Sequence, residues 1–172
     1  MESKPLGKTN LTIPEIGLGT SRYRGGVEPL RKGIRLGAFI DTAEMYGTEN
    51  VVGAAVGNSR DSTIIATKVL PGNLRYSDLM LAAEKSLRLL QTDYIDLYQL
   101  HYPNSSVPIA ETMRAMEDLV DQGKIRFIGV SNYSVAQLAE AMNAMTRYEI
   151  VSNQVQYSLT HRNIERDLLP FC

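Results

Sequence analysis

The stretch FIDTAEMYGTEN, residues 39–50, runs from an apolar segment into an acidic residue, Asp41, and places Tyr46 five positions later. An apolar run of this kind is typical of a strand that is buried on both faces of a sheet. Gly47 follows Tyr46 and allows a sharp turn, because glycine tolerates backbone angles that other residues avoid. Which fold this stretch belongs to depends on how the other strands of the chain end.

Short apolar runs and amphipathic stretches alternate along the chain at intervals of about 25 to 30 residues, which is typical of βα units. Most of the apolar runs are apolar nearly throughout, as strands of a parallel sheet are. The segment 4–13, with KTN at its turn, predicts a small β-hairpin ahead of them. Six strands are predicted, at residues 13–20, 38–42, 63–69, 93–101, 125–131 and 150–157.

Apolar residues at steps of three and four predict helices between the strands. Helix ends are predicted at Pro108, at Gly123 and at a capping box of Ser134 and Gln137. The methionines on these helices are therefore interpreted as core residues. The predicted buried faces are Met80, Ala83, Leu87 and Leu90; then Ile109, Met113, Met116 and Val120; and finally Leu138, Met142 and Met145.

About six consecutive βα units admit an open doubly wound sheet or a closed barrel. The dinucleotide-binding fingerprint of the first fold fails, because GLGTSR has Arg22 where the third glycine belongs. A barrel instead collects polar residues at the carboxyl ends of its strands. The sequence therefore predicts a single α/β domain over residues 1–172, an incomplete TIM (β/α)8-type barrel. The polar strand-end residues are Thr20, Asp41, Lys68, His101, Ser131, Asn132 and Gln154.

Composition narrows the possible partners. The chain has 172 residues, 44% of them apolar, and 18 basic residues nearly balance 19 acidic ones. With no basic run, neither nucleic acid nor an anionic membrane surface is expected as a partner. No apolar stretch is long enough for a membrane span and MESKPLGK lacks a signal-peptide core, so we expect a cytoplasmic location. One cysteine, Cys172, and two histidines predict no metal site.

Each polar strand-end residue also has an ordinary structural interpretation. Asp41 could cap a turn, Lys68 could be a solvated lysine, and His101 could be a turn histidine whose ring is hydrogen-bonded to the loop. Tyr46 could cover the barrel rim. Four different proton-carrying types at the same end of four elements favour a proton-transfer site over four coincidences.

The chain resembles the aldo-keto reductases over essentially its whole length. The matching segments are IPEIGLGT (13–20), FIDTAEMYGTENVVGAAV (39–56), IIATKV (64–69), TDYIDLYQLHYP (92–103), GKIRFIGVSNY (123–133) and NQVQYSLTHR (153–162). The resemblance implies a catalytic quartet of Asp41, Tyr46, Lys68 and His101. It also implies cofactor contacts from Gly19, Thr20, Asp41, Ser131, Asn132 and Gln154. The implied cofactor is NADP(H), with NAD(H) as the less favoured choice.

The activity that the resemblance implies is reduction of a small aldehyde or ketone to an alcohol by hydride transfer, with Tyr46 donating the proton. We expect Lys68 to lower the pKa of the phenol, because an ammonium about 4 Å away contributes about 4 kcal/mol at an effective dielectric of 20. Asp41 is expected to hold the ammonium and keep it charged. A neutral His101 is expected to orient the carbonyl.

Two other functions stay open. A lysine near an acid and a tyrosine, such as Lys68, could also serve a Schiff-base aldolase, in which the free amine of the lysine attacks a carbonyl. The sequence shows no hydrophobic or cationic neighbours that would lower the pKa of Lys68, and Asp41 should raise this pKa. The second alternative is a non-catalytic, nucleotide-binding regulatory subunit, because the resemblance also extends to subunits of this kind.

The family pattern continues with two more strands and helices after the segment LLPFC that ends this sequence. We therefore expect strands one and six to form open edges around an exposed apolar interior. Self-association through these edges is possible. Because the resemblance places a stacking aromatic residue and phosphate-binding basic residues in the missing part, we also expect weak cofactor binding and little activity.

Overall fold

The computed structural model describes residues 2–172 and contains two β-sheets. The first is an antiparallel hairpin of β1 (Ser3–Pro5) and β2 (Thr12–Pro14). Its turn is closed by a hydrogen bond from the Leu6 N–H to the Leu11 carbonyl, 2.8 Å long. The predicted hairpin is confirmed.

The second sheet has six strands in sequential order, and every neighbouring pair is parallel. Within the described residues, the first and last of these strands form the edges. This arrangement confirms the predicted incomplete (β/α) barrel. The strands are β3 (Gly17–Gly19), β4 (Phe39–Asp41), β5 (Ile65–Val69), β6 (Ile95–Leu100), β7 (Ile125–Ser131) and β8 (Ile150–Gln154).

A helix follows each strand of this sheet, which gives the six expected βα units. The capping box is present, because the Ser134 hydroxyl accepts the Gln137 N–H and the Gln137 side chain accepts the Ser134 N–H. Gly123 follows the fourth helix with a φ of 69°. The helices are α1 (Val27–Arg35), α2 (Glu49–Val56), α3 (Tyr76–Leu90), α4 (Ile109–Asp121), α5 (Val135–Ala144) and α6 (Leu168–Phe171).

Two predicted strand ranges are wrong in detail. Residues 13–20 do not form one strand, because Thr12–Pro14 pairs in the hairpin and Gly17–Gly19 pairs in the main sheet. The Glu15 N–H still donates to the Glu2 carbonyl of the hairpin, at 3.0 Å, and the chain enters the main sheet only at Gly17. The last strand ends at Gln154 and not at residue 157.

The predicted buried position of Met142 is also wrong. Met142 is 49% exposed, whereas Leu138 and Ala141 form the buried face of α5. Met142 lies about 100° around the helix axis from Ala141 and about 40° from Leu138, on the side of Leu138 that points away from Ala141, so it falls at the edge of the buried face. Periodicity alone assigned Met142 to the apolar face and could not tell where that face meets the sheet.

The hairpin lies against the interior of the curved sheet. Leu6 and Leu11 line a cavity of about 160 Å³ together with Leu97 and Gln99 of β6. At the turn, the Gly7 backbone lies next to the Val151 carbonyl near the start of β8. The hairpin therefore covers the interior of the sheet, and Asp41 and Gln154 at the carboxyl ends of β4 and β8 line the same cavity.

Gly53 on α2 lies close to the backbone at the end of α3. A Cβ added there would lie 2.7 Å from the backbone oxygens of Leu89 and Leu90 in α3. Backbone atoms cannot rotate aside as a side chain can. We predict that Gly53→Ala destabilises the fold by about 1–3 kcal/mol in urea unfolding, despite the gain of up to about 1 kcal/mol in helix propensity.

The matched control is Gly72→Ala, because a Cβ at Gly72 would meet no atom within 4 Å. Its stability should stay within about 0.5 kcal/mol of the parent. Equal unfolding midpoints for the two variants would contradict this account of the α2–α3 contact.

Glu117 on α4 fixes the segment that leads into β8. Its carboxylate has an exposed fraction of only 2%. It accepts backbone N–H groups from Thr146, at 2.7 Å, and from Tyr148, at 3.2 Å. Burial alone would raise the pKa of Glu117, but the hydrogen bonds from Arg147, Thr146 and Tyr148 outweigh it and lower the pKa to about 2.

This pKa shift predicts a pH dependence of stability. Because the folded pKa lies below the ordinary value of 4.5, the contribution is complete above about pH 4.5 and is lost as the pH falls towards 2. Glu117→Gln should lower the free energy of unfolding at pH 7 by up to about 3 kcal/mol and flatten its dependence on pH in that window. Urea unfolding from pH 7 to pH 2.5 measures both effects. Glu28→Gln, at an exposed carboxylate, should reproduce the parent curve, and a parent-like curve for Glu117→Gln would refute the assignment.

Candidate active site

Asp41 and Lys68 form a buried ion pair at the carboxyl ends of β4 and β5. The Lys68 Nζ lies 2.8 Å from both carboxylate oxygens of Asp41 and donates to the Thr42 carbonyl at 2.9 Å. Only 2% of the Lys68 side chain is exposed. In the parallel register Asp41 lies opposite Ala66, which brings Lys68 level with the chain just beyond the end of β4.

Tyr46 lies over this ion pair. It ends a 3₁₀ turn, Glu44–Tyr46, and Gly47 follows with a left-handed φ of 64°. The Tyr46 ring centroid is 5.2 Å from the Lys68 Nζ. The chain turn after the strand therefore directs the phenol back to the strand ends.

His101, directly after β6, completes the group. Its ring meets the Tyr46 ring edge-on at 5.5 Å between centroids and stacks on Tyr102 at 4.9 Å. Burial, and then the Lys68 charge, lower the pKa of His101. The lowered pKa favours the neutral imidazole at neutral pH. Its buried Nδ1 has no hydrogen-bond partner within residues 2–172.

Two expectations about pKa values are wrong. The pKa of Tyr46 is raised, first by burial and then by the charge of Asp41, whereas the sequence argument expected Lys68 to lower it. The pKa of Lys68 is lowered by burial, which outweighs the opposing effect of Asp41. The expectation for Tyr46 considered an isolated ammonium beside the phenol, but the ammonium is paired with Asp41, whose negative charge acts on Tyr46 in the opposite direction.

Ser131, Asn132 and Gln154 form a second group at the ends of β7 and β8. The Ser131 hydroxyl donates to the Gln154 carbonyl at 2.8 Å, and the Asn132 N–H donates to the same carbonyl at 3.0 Å. The Asn132 side-chain amide donates to the His101 carbonyl at 3.0 Å. This bond connects the second group to His101, so the predicted cofactor residues adjoin the predicted catalytic ones.

The predicted contact of Thr20 with a cofactor stays a prediction. The Thr20 side chain is fully buried, and its hydroxyl is bonded to the Thr42 hydroxyl at 2.8 Å and to the Thr48 hydroxyl at 3.0 Å. Thr42 supplies the carbonyl that accepts from Lys68. Gly19, by contrast, is exposed, and a Cβ there would meet no atom within 4 Å. Sequence reasoning named Thr20 but missed its partners Thr42 and Thr48, for which closeness to Asp41 along the chain was the available signal.

Gln99 is a further site residue that the sequence argument missed. It lies two residues before His101 on β6, and its side chain faces the interior cavity. Its amide donates to the Gln154 side-chain oxygen at 3.4 Å. The available signal was a polar residue at a step of two from His101, since alternate strand residues share a face.

Comparison with known proteins agrees with this geometry. The sequence model of the aldo/keto reductase family matches residues 28–172. The chain belongs to this family. The methylglyoxal reductase YeaE of Escherichia coli is 43% identical over 95% of the chain, and the aldo-keto reductase YhdN of Bacillus subtilis is 36% identical over 99%. The chain spans 61% and 58% of the lengths of these two curated relatives.

Solved aldo-keto reductases share the fold. The thermostable enzyme Tm1743, in complex with the inhibitor epalrestat, superposes with a TM-score of 0.94 at 41% identity, covering 100% of this chain and 69% of that one. An aldo/keto reductase from Klebsiella pneumoniae in complex with NADP and acetate gives a TM-score of 0.80 at 43% identity, covering 94% and 60%. The family assignment therefore holds at the level of both sequence and fold.

The described residues fit the carboxamide of a nicotinamide. A carboxamide both donates and accepts hydrogen bonds. The Asn132 amide nitrogen already donates to the His101 carbonyl and the Ser131 hydroxyl, and the Gln154 side-chain oxygen accepts from Gln99, so the Asn132 oxygen can accept from a carboxamide and the Gln154 nitrogen can donate to it. Among residues 2–172 no cluster of three or more metal-binding side chains occurs. In the same part of the chain, no helix has the length and apolar character needed to span a membrane.

The ion pair predicts the behaviour of one variant. Asp41→Asn removes the charge that opposes the effect of burial on Lys68, so the pKa of Lys68 should fall further. Titration of the Lys68 amine by nitrogen-15 NMR measures this directly. Asp61→Asn, at an exposed carboxylate, serves as the control and should leave the Lys68 titration unchanged. An unchanged titration in Asp41→Asn would show that Asp41 does not govern the lysine.

Proposed function

We propose that this chain carries the reductive site of an NADP(H)-dependent carbonyl reductase, which reduces an aldehyde or ketone to an alcohol with Tyr46 as proton donor. The observation that carries the proposal is the convergence of a protonated phenol, a buried ammonium and a neutral imidazole at the same strand ends. The family assignment and the names of the relatives support it. NAD(H) is the less favoured cofactor.

The roles of the residues follow from their protonation states. A bound nicotinamide cofactor supplies the hydride. Tyr46 holds the proton that the resulting alkoxide needs, and its raised pKa keeps the phenol protonated at neutral pH. Neutral His101 orients the carbonyl oxygen towards Tyr46. Lys68 favours the phenolate that forms when the proton leaves, because a positive charge 5.2 Å from the ring attracts the new negative charge.

Cofactor binding is assigned to the second group of polar residues. Ser131, Asn132 and Gln154 are proposed to hold the carboxamide, and Gly19 and Thr20 to lie beside the cofactor on the other side of the site. The Klebsiella pneumoniae structures in complex with NADP and with NADPH support this choice of cofactor. The weak cofactor binding and the self-association through β3 and β8 that the sequence suggested stay predictions.

The proposed substrates are small carbonyl compounds. The names of the relatives from Escherichia coli and Salmonella, both methylglyoxal reductases, make methylglyoxal the first substrate to test. The loop after β6 is short, HYPNSSVP, and leaves the site open to small aldehydes of several kinds.

One observation favours the Schiff-base aldolase as a second candidate. Burial lowers the pKa of Lys68, as a nucleophilic lysine requires. Against it, the ammonium is fixed by hydrogen bonds to both Asp41 oxygens and to the Thr42 carbonyl, which favour its charged form. The reductase is therefore the better-supported function.

Replacing the proton donor tests the proposal. In a version extended to the full length of its relatives, Tyr46→Phe should lower kcat/KM for NADPH-dependent methylglyoxal reduction at least about 100-fold, because the alkoxide loses its general acid. NADPH affinity, measured by fluorescence titration, should stay within about three-fold, since the predicted cofactor residues are untouched. Tyr94→Phe, at a tyrosine that packs on Arg60, should behave as the parent. Turnover that survives Tyr46→Phe would assign the acid role to another group.

Borohydride separates the two candidate functions. Treatment with borohydride in the presence of methylglyoxal traps a Schiff base if the Lys68 amine attacks the carbonyl. We expect mass spectrometry to find Lys68 unmodified. A trapped adduct on Lys68 that is absent from a Lys68→Arg variant would favour the aldolase over the reductase.

A further inference from the structure

Tyr46 and Lys68 carry the proposed proton transfer without a hydrogen bond between them. Within residues 2–172, the three hydrogen bonds of the Lys68 ammonium all go to Asp41 and Thr42. The phenol ring lies 5.2 Å from that nitrogen. Because misplacement by about 1 Å can cost about 100-fold in rate, the surrounding chain must set their spacing.

Glu44 connects the Tyr46 turn to the chain after Lys68. It begins the same 3₁₀ turn, and only 5% of its side chain is exposed. Its carboxylate accepts the Leu70 N–H at 3.1 Å and the Asn73 side-chain amide at 3.2 Å. Leu70 lies two residues after Lys68, so this bond fixes the turn on one side of the lysine.

Glu49 makes the corresponding connection on the other side. It is the first residue of α2, three positions after Tyr46, and 1% of its surface is exposed. Its carboxylate accepts the Thr67 hydroxyl at 2.7 Å. Thr67 directly precedes Lys68. The two glutamates therefore lie on either side of Tyr46 and bind residues on either side of Lys68.

Burying two carboxylates here is costly, so apolar packing does not explain them. Burial raises the pKa of Glu49, and the charge of Glu44 raises it further. Lys85, 3.4 Å from a Glu44 oxygen, offsets part of this repulsion. Hydrogen bonds are directional where apolar contacts are not, which is what fixing a distance requires.

We propose that Glu44 and Glu49 are positioning residues that hold Tyr46 at its working distance from Lys68. They act through Leu70 and Thr67 and not by touching the reacting atoms. The inference rests on the proposed function, in which Tyr46 is the proton donor.

Paired substitutions separate the hydrogen bond from the charge. Glu44→Ala and Glu49→Ala remove the acceptor, whereas Glu44→Gln and Glu49→Gln remove the charge but keep an acceptor oxygen. Glu111 provides the matched control, because it accepts the Tyr76 N–H at 2.9 Å at the start of a different helix, α3. Glu111→Ala and Glu111→Gln complete the set.

The first measurement is the titration of Tyr46, followed by NMR of protein labelled with carbon-13 at tyrosine Cζ and assigned with Tyr46→Phe. Burial raises the pKa of Tyr46, so a phenol released to water should titrate closer to an ordinary tyrosine. The two Ala variants should lower this pKa, and the Gln variants should keep it. An equal fall in the Ala and Gln variants would show a charge effect and overturn the proposal, as would no fall in either Ala variant.

The second measurement is NADPH-dependent methylglyoxal reduction by the version extended to the full length of its relatives. Each Ala variant should lower kcat about 10- to 100-fold with KM within about two-fold, and each Gln variant should recover to within about three-fold of the parent. Glu111→Ala should lower stability without lowering kcat. A loss of stability without a loss of kcat in Glu44→Ala and Glu49→Ala would reduce both residues to a structural role.

If Glu49→Ala does not fold, Thr67→Val carries the same test, because it removes the hydroxyl that Glu49 accepts. If Glu44→Ala does not fold, Asn73→Ala removes one of the two neighbours whose N–H groups Glu44 accepts and leaves the Leu70 bond, so it should lower the Tyr46 pKa and kcat by a smaller amount. Turnover retained by Tyr46→Phe would refute the proposed function alone, and the Tyr46 titration would still decide the positioning role. Loss of turnover in Tyr46→Phe, with an unchanged titration and kcat in both Ala variants, would refute the positioning role alone.

Discussion

The buried ion pair between Asp41 and Lys68 is the interaction on which the rest of the site depends. An ammonium that is 2% exposed needs an opposing charge, and Asp41 provides one with both of its oxygens. Removing one partner of such a pair typically costs about 3–5 kcal/mol, because the other charge is left buried and uncompensated. The Thr42 carbonyl adds a third acceptor, and the threonine cluster fixes Thr42. The end of β4 is therefore built around the lysine of β5.

Pairing the charges also determines the protonation of their neighbours. A paired ammonium does not force the phenol of Tyr46 to ionise, so burial dominates and raises its pKa. Burial and Lys68 together lower the pKa of His101. The outcome at neutral pH is a protonated phenol beside a neutral imidazole, which suits a site that gives a proton to an alkoxide and does not remove one from a substrate.

The proposed catalytic residues and the proposed cofactor residues are connected by hydrogen bonds from side chains to backbone carbonyls, as well as by the pairing of their strands. The Asn132 side chain binds the His101 carbonyl, and Ser131 binds the Gln154 carbonyl, so the ends of β6, β7 and β8 are held in one arrangement. Glu117 orders the entry to β8 from the opposite end. The chain spans 61% of the length of its Escherichia coli relative. The strand ends described above are therefore the part of the family barrel that this chain contains.

The sequence by itself determined the strand order, the polar strand ends and local features such as the Ser134 capping box, because these depend on residue spacing along one segment. It also predicted that Asp41, Tyr46, Lys68 and His101 converge, since parallel strands share an edge. Only the tertiary structure decided which way Met142 faces, which groups Thr20 and Glu49 bind, and that the pKa of Tyr46 rises. Exposure, long-range hydrogen bonds and the sum of nearby charges depend on the packing of distant segments, and no local pattern encodes them.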